Sequence, residues 1–260
     1  MGADGWTRRA LVSQVLSMVG LMVHARSGAR LTVARKLVYD FAVARRGTLY
    51  SILRDIAGLK VHTTERVVEL PLVERMISRE DKSSRILEVG SGESPFLLRL
   101  ARKGYGVVSA DVHAYPFCMK GVDPVRADVL RLPFIDGSFD VVFAISTIEH
   151  IGLGYYGDTV AEGGDATAVR ELRRVLAKSG RLIVTVPFGS QPIPNFERVY
   201  NARTINNLLS EFRVVEESYW VCDGGKWIMV PKENAMVGPP LRENGTMAAG
   251  VVIVSASKQM

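Results

Sequence analysis

Two cysteines in 260 residues, Cys118 and Cys222, are too few and too far apart for a disulfide framework or a CxxC-type metal centre. Their scarcity points to a reducing, cytoplasmic compartment. No internal repeat and no low-complexity linker interrupts the chain. The apolar run at 10–23 falls short of the ~20 residues a membrane-spanning helix needs. An excess of positive charge is also missing from most of the molecule, although the net charge is +6. Residues 1–60 hold ten Lys/Arg against three Asp, so that segment carries +7 and the remainder −1. The basic character is therefore local, and nucleic-acid binding by the body of the protein is not expected.

What is present divides into a basic N-terminal extension, residues 1–80, and an α/β domain, residues 81–260. The run at 10–23 follows Arg8-Arg9, which admits three readings: a helix packed on the body, a membrane-surface segment, or an export signal. Leu31, Ala34, Val38 and Phe41 recur at helical spacing between cationic flanks. Residues 10–46 are accordingly expected to offer peripheral contact with an anionic membrane or a solvated helix face. A second short helix carries Leu49, Ile52, Leu53 and Ile56, and Glu69–Ile77 reads as a helix with Pro71 in its first turn.

From residue 85 apolar strands alternate with helical segments. Strands are expected at 85–89, 106–111, 125–129, 139–146, 181–187, 213–221 and 251–257, and helices at 95–103, 165–177 and 202–211. The second of these helices is expected to stop at Lys178-Ser179-Gly180. Seven strands in this order predict an open, doubly wound, mostly parallel sheet. Such a sheet binds ligands beyond the carboxyl ends of its strands. Those ends carry Glu88, Gly90, Ser91 and Gly92 on the first strand, then Asp111 with Val112, then Asp128 with Val129, then Ser146. A dinucleotide-binding dehydrogenase would want a third glycine or alanine where this chain has Pro95.

Residues 85–188 resemble a class I S-adenosylmethionine-dependent methyltransferase. The resemblance rests on Leu87-Glu88-Val89-Gly90-Ser91-Gly92, on Asp111, on Ala127–Phe134, on Asp136–Val142 and on Glu171–Gly180. It implies a Rossmann-like methyltransferase fold and S-adenosyl-L-methionine as cofactor. It places the Gly90–Gly92 turn, with Ser91, beside the methionine part and Glu88 nearby. Asp111, with Val112 after it, would meet the ribose hydroxyls. Asp128 would face the adenine amino group, Val129 would lie beside the ring, and Ser146 near the sulfonium. The stretch 113–121 is too short and proline-broken for the family's usual helix, so a loop is expected there.

On the acceptor side the chain reads Ser146-Thr147-Ile148-Glu149-His150 rather than the Asn/Asp-Pro-Pro-aromatic motif of base N-methylation. Glu149-His150 resembles the end of a metal-binding Glu-x-x-Glu-His motif, but its first acid falls at Ser146, so no metal is expected. His150 is the candidate catalytic residue, as a base toward a hydroxyl, with a bracing role as the alternative. Glycines and tyrosines at 151–158 suggest a lid, with further rim loops at 189–197 and 222–247. The expected acceptor is a small or lipid-linked polar molecule such as a glycan. An RNA or protein methyltransferase using the basic N-terminus and a non-catalytic cofactor-binding protein are the rival readings.

Overall fold

A computed structural model of the protein describes residues 21–23, 61–92, 94–189, 196–223, 226–236 and 250–259. The helices expected at 31–42 and around 49–58, and the membrane contact over 10–46, fall almost wholly outside the described residues. The chain divides into two units, Met1–Val68 with Gly224–Trp227, and Glu69–Asp223 with Ile228–Met260.

In the smaller unit β1 (Leu21–Val23) pairs antiparallel with β2 (Val61–Thr63). The helical reading of 10–23 thus fails for its last three residues, which take up strand pairing instead. No helix among the described residues is long and apolar enough to cross a membrane.

The larger unit is built on one sheet. Its strands are β3 (Ile86–Val89), β4 (Val107–Asp111), β5 (Val122–Arg126), β6 (Phe139–Ile145), β7 (Leu176–Pro187), β8 (Phe212–Asp223), β9 (Lys226–Val230) and β10 (Gly250–Lys258). They lie in the order β5-β4-β3-β6-β7-β10-β8-β9. Pairing is parallel from β5 through β7, and β10 runs antiparallel to both β7 and β8. The chain builds outward from β3 to β5, then returns to lay β6 on the other side of β3. That reversal opens a crevice between the ends of β3 and β6, where ligands bind in such sheets.

Alternation along the strands feeds two cores. On β6, Val142 and Ala144 pack with α3 (Gly164–Val175) and α4 (Ala202–Leu208) on one face. Val141, Phe143 and Ile145 point the other way, toward α1 (Arg66–Ile77) and α2 (Phe96–Arg102). With helices on both faces, the central strands must be apolar throughout, which is why they read as continuous hydrophobic runs. Glu74 on α1 also pairs with Arg99 and Lys103 on and beside α2.

Four boundaries differ from the sequence expectation. The third strand is 122–126 rather than 125–129, and it includes Pro124. A strand at the sheet edge has only one ladder to satisfy, so proline is tolerated there. Helix α1 begins at Arg66, which leaves Pro71 inside it rather than in its first turn. Helix α3 ends at Val175, and Lys178-Ser179-Gly180 continue into β7 instead of stopping the helix. The region expected as a rim loop at 222–247 contributes an eighth strand, β9, at the far edge. The segment between Asp111 and β5 forms no helix, as its prolines and length imply.

Candidate functional site

The turn after β3 is shaped for close approach. Gly90 has φ +75° and Gly92 φ +52°, backbone that L side chains rarely adopt. A Cβ on Gly90 would stand 2.2 Å from Thr147 Cγ2, so only glycine lets the β3 and β6 ends meet. A Cβ on Gly92 would touch nothing within 4 Å, and that side of the turn is open. Gly90 N–H donates to Ala110 O at 2.9 Å, and Ser91 Oγ lies 2.7 Å from Ser109 Oγ, which bolt the turn to β4. Glu88 is buried in the middle of β3, one residue before the strand ends.

Asp111 closes β4. Its Oδ2 accepts from Gly92 N–H at 2.9 Å and its Oδ1 from His113 N–H at 2.8 Å. A carboxylate offers about four lone-pair positions, so the group is held in place with capacity left for two hydroxyls. Val112 follows it, half-buried, and its carbonyl accepts from Arg126 Nε.

Asp128 lies two residues beyond β5 and not at a strand end, a consequence of the shifted third strand. It caps the 3-10 turn Val129–Arg131, Oδ1 accepting from Leu130 N–H at 2.9 Å. Val129 is buried. The loop behind Asp128 is fixed by α3. Arg174 donates to Leu132 O, Phe134 O, Asp136 Oδ1 and both oxygens of Glu171, while Glu171 Oε2 accepts from Leu132 N–H. Hydrogen bonding from Arg174 holds the Glu171 carboxyl below the usual range, and Glu171 and Asp136 raise the Arg174 guanidinium in turn. The Glu171–Arg174 segment of the sequence resemblance thus holds the loop that follows Asp128.

Ser146 ends β6 at φ +42°, the one positive-φ non-glycine among the described residues. Strain at such a position persists only when neighbours over-determine it. Ser146 N–H donates to Thr185 O and Oγ1, at 3.1 and 2.9 Å. Its hydroxyl donates to Glu69 Oε1 at 2.7 Å, and the Thr185 hydroxyl donates to the same oxygen at 2.5 Å. Glu69 on α1 is fully buried. Sequence reasoning missed it, because an acid near the start of a helix reads as an ordinary first-turn charge.

The acceptor side is assembled from residues distant in sequence. Glu149 and His150 stand on the 3-10 turn Ile148–His150. The segment 196–200 crosses them, with Arg198 N–H donating to Glu149 O and Arg198 Nη1 to Ile151 O at 2.7 Å. Tyr200 beside it donates to Asp165, and burial, then the charges of Asp165 and Glu149, push its hydroxyl pKa up. His150 Nδ1 lies 2.7 Å from Phe196 O. A carbonyl can only accept, so Nδ1 carries the proton and the neutral ring keeps its lone pair on Nε2. Nε2 is 3.8 Å from Glu149 Oε1. Glu197, which sequence reasoning also missed, brings a third group: ligand-capable atoms of Glu149, His150 and Glu197 all lie within 4.8 Å of one another.

The lid expected from the glycines and tyrosines at 151–158 lies in the loop 151–163, since α3 begins at Gly164. Gly152 N–H donates to Asp158 Oδ2 and Ala161 N–H to Gly152 O, which close its base. Tyr156 packs edge-on to the His150 ring and Tyr155 to Phe196, while both tyrosines remain exposed. Thr159 reaches across to Asp128, its hydroxyl donating to Oδ2 at 2.9 Å. The rim at 190–195 and 237–249 lies outside the described residues.

A glycine turn and a seated strand-end acid stand at the switch point of an open sheet, where such sheets bind nucleotide cofactors. Comparison with known proteins narrows the class. Residues 87–184 match the family described as "Methyltransferase domain". An uncharacterized methyltransferase of Mycobacterium sp. (strain JLS) is 37% identical over 71 residues, 25% of this chain and 28% of that protein. The chain thus matches about a quarter of the length of the curated relatives. Among solved structures, the Burkholderia thailandensis 1,6-didemethyltoxoflavin-N1-methyltransferase with bound S-adenosylhomocysteine superimposes with a TM-score of 0.54 at 15% identity, over 92% of this chain and 99% of that one. The [4+2]-cyclase SpnF matches at 0.54 and 19% identity, over 77% and 84%. At these identities the likeness concerns the fold. The match over residues 87–184 and the shared fold are consistent with a class I methyltransferase domain, a family whose cofactor is S-adenosyl-L-methionine.

The residues present fit that cofactor. The open side of Gly92 admits it, and Asp111 is positioned by two backbone N–H groups with acceptor capacity to spare.

Proposed function

We propose that the protein transfers the methyl group of S-adenosyl-L-methionine to a hydroxyl of a small or lipid-linked polar acceptor, such as a glycan. When bound, the cofactor supplies a methyl group already activated on a cationic sulfonium. The protein's share is therefore mainly alignment. Gly90, Ser91 and Gly92, with Glu88 behind them, receive the methionine part. Asp111, with Val112, accepts from the ribose hydroxyls. Asp128 and Val129 receive the adenine, Asp128 exchanging its bond with Thr159 for one to the base. Ser146, locked by Glu69 and Thr185, forms the floor between cofactor and acceptor.

The observation that carries the acceptor side is the placement of His150. It stands one 3-10 turn beyond Thr147, which contacts the glycine turn, and beneath the exposed Tyr155 and Tyr156 rings. Aromatic faces beside carboxylates suit the alternating apolar and hydroxyl-bearing surfaces of a sugar. Loss of the acceptor proton falls to the group around His150, whose Nε2 lone pair faces Glu149. His150→Ala should lower kcat about 100-fold with S-adenosyl-L-methionine affinity unchanged. Near-normal turnover in that variant, at a pH where the wild type is active, would exclude His150 from the chemistry. Peripheral contact of residues 10–46 with anionic lipid belongs to the same reading. Liposome binding lost on deleting residues 1–60 supports it, and salt-sensitive RNA retention lost on that deletion would favour a macromolecular acceptor instead.

A further inference from the structure

We infer that Glu149, His150 and Glu197 form a divalent-cation site, taking a first-row transition ion such as Mn2+ or Zn2+. One carboxylate oxygen from each glutamate and one imidazole nitrogen lie within 4.8 Å of one another. Glu149 is fully buried, and Glu197 and the His150 side chain are exposed by only 9% and 12%. Ligands about 2.1 Å from a tetrahedral cation stand roughly 3.4 Å apart, so closure on an ion needs side-chain movements on the order of 1 Å.

The orientation of His150 points to a ligand independently of that clustering. Its Nδ1–H is committed to the Phe196 carbonyl at 2.7 Å, and this fixes the tautomer that offers Nε2 as a donor. A ligating histidine is typically held in this way, its far nitrogen donating to a backbone carbonyl while the near one faces the metal. The second histidine nitrogen and the first glutamate already face each other at 3.8 Å. The backbone is equally fixed. Arg198 spans the two segments, donating from its N–H to Glu149 O and from Nη1 to Glu149 O and Ile151 O. Residues 148–150 and 196–198 are thereby held face to face whether or not an ion lies between their side chains.

Electrostatics favours a dication there. Glu149 and Glu197 bring two carboxylates into one buried cluster, while Asp165 is paired with Arg198 at 3.6 Å. A dication accepts donor atoms from both carboxylates and the imidazole at once. The mixed imidazole and carboxylate donors suit Mn2+, Fe2+ or Zn2+ better than Ca2+, which prefers oxygen alone. Three protein ligands leave coordination positions open. Toward the Tyr155–Tyr156 rim, such a position would bind and acidify the acceptor hydroxyl, so that with an ion bound His150 serves as ligand in place of base. That consequence rests on the proposed methyl transfer, whereas the cation site itself does not. Glu149-His150 is the part of this set visible in the sequence; the motif breaks at Ser146, and the third group, Glu197, comes from a separate loop.

The test is titration of Mn2+ into chelator-treated full-length protein, followed by calorimetry and by the loss of the free-ion electron paramagnetic resonance signal. One equivalent per chain is expected. Glu197→Gln and His150→Ala should each weaken binding at least about tenfold, and a surface variant, Glu211→Gln, should not. Mn2+ should raise Tm in the wild type and not in Glu197→Gln, which keeps the site testable if Glu149→Gln fails to fold. Absence of saturable binding, or binding that survives both ligand variants, would overturn the site. Titration of the same preparations with S-adenosyl-L-methionine separates the two proposals. Cofactor binding without Mn2+ binding removes only the cation site, and Mn2+ binding without cofactor binding removes only the methyltransferase reading.

Discussion

The two sides of the crevice are built by different rules. On the cofactor side the parts are local: a turn of three residues, an acid at the end of the next strand, and a capping acid in the following loop. Each is held by backbone groups a few residues away or by the neighbouring strand, as in Gly92 N–H to Asp111 and Leu130 N–H to Asp128. On the acceptor side Glu149 and His150 meet Glu197 only because the segment 196–200 folds back along the end of β7, through the Phe188–Tyr200 bridge. The cofactor half is thus fixed by the sheet, while the acceptor half depends on loops the sheet merely supports. On the proposed reading, acceptor choice can therefore change without disturbing cofactor binding.

Breaking the shared hinge of the two halves should have the largest effect. Gly90→Ala forces a side chain into φ +75° and onto Thr147, so both strand ends must separate. A loss of about 3 kcal/mol or more in urea unfolding is expected, with S-adenosyl-L-methionine binding abolished. Wild-type stability and binding in that variant would show that the β3 and β6 ends are not in this contact.

The next effect sharpens the contrast from one side. Arg174→Ala removes the donor that ties α3 to the loop behind Asp128, and about 2 kcal/mol of stability should go with it. Cofactor affinity should fall while Mn2+ affinity holds. The same contact predicts a pH signature. Glu171 has its folded pKa depressed, chiefly by hydrogen bonding from Arg174. Its contribution is therefore complete above the unfolded carboxyl value of about 4.3 and is lost as pH falls through the lower folded one. Urea midpoints of Glu171→Gln should be lower than wild type at neutral pH and converge with it in acid.

The smallest effect concerns the bond between the loop 151–163 and Asp128. Thr159→Val deletes the hydroxyl that occupies Asp128 Oδ2. Cofactor affinity should rise by about threefold or less, since the competing bond is exposed to water. A weaker cofactor complex would mean that the loop supports the bound state rather than competing with it.

This division also explains what could be read from the sequence. The alternation of strands and helices, the glycine turn and Asp111 were legible because each follows from local periodicity and a fixed spacing. The third strand was misplaced because Pro124 reads as a strand breaker, and only the edge position of β5 makes it acceptable. The end of α3 was misplaced because Lys178-Ser179-Gly180 fits a helix stop, yet pairing beside β6 draws the chain into extended structure from Leu176. Glu69 and Glu197 carry no local signature. Their roles come from tertiary contacts, with Ser146 and Thr185 in one case and with Glu149 and His150 in the other. The basic segment 1–60 is legible as charge alone.

The most direct test of the account is calorimetric titration of S-adenosyl-L-methionine into the wild type, Asp111→Ala and His150→Ala. The account predicts saturable binding to the wild type, weakened roughly 10–100-fold in Asp111→Ala and unchanged in His150→Ala. No binding to the wild type, or equal weakening in both variants, would contradict a cofactor half built independently of the acceptor half.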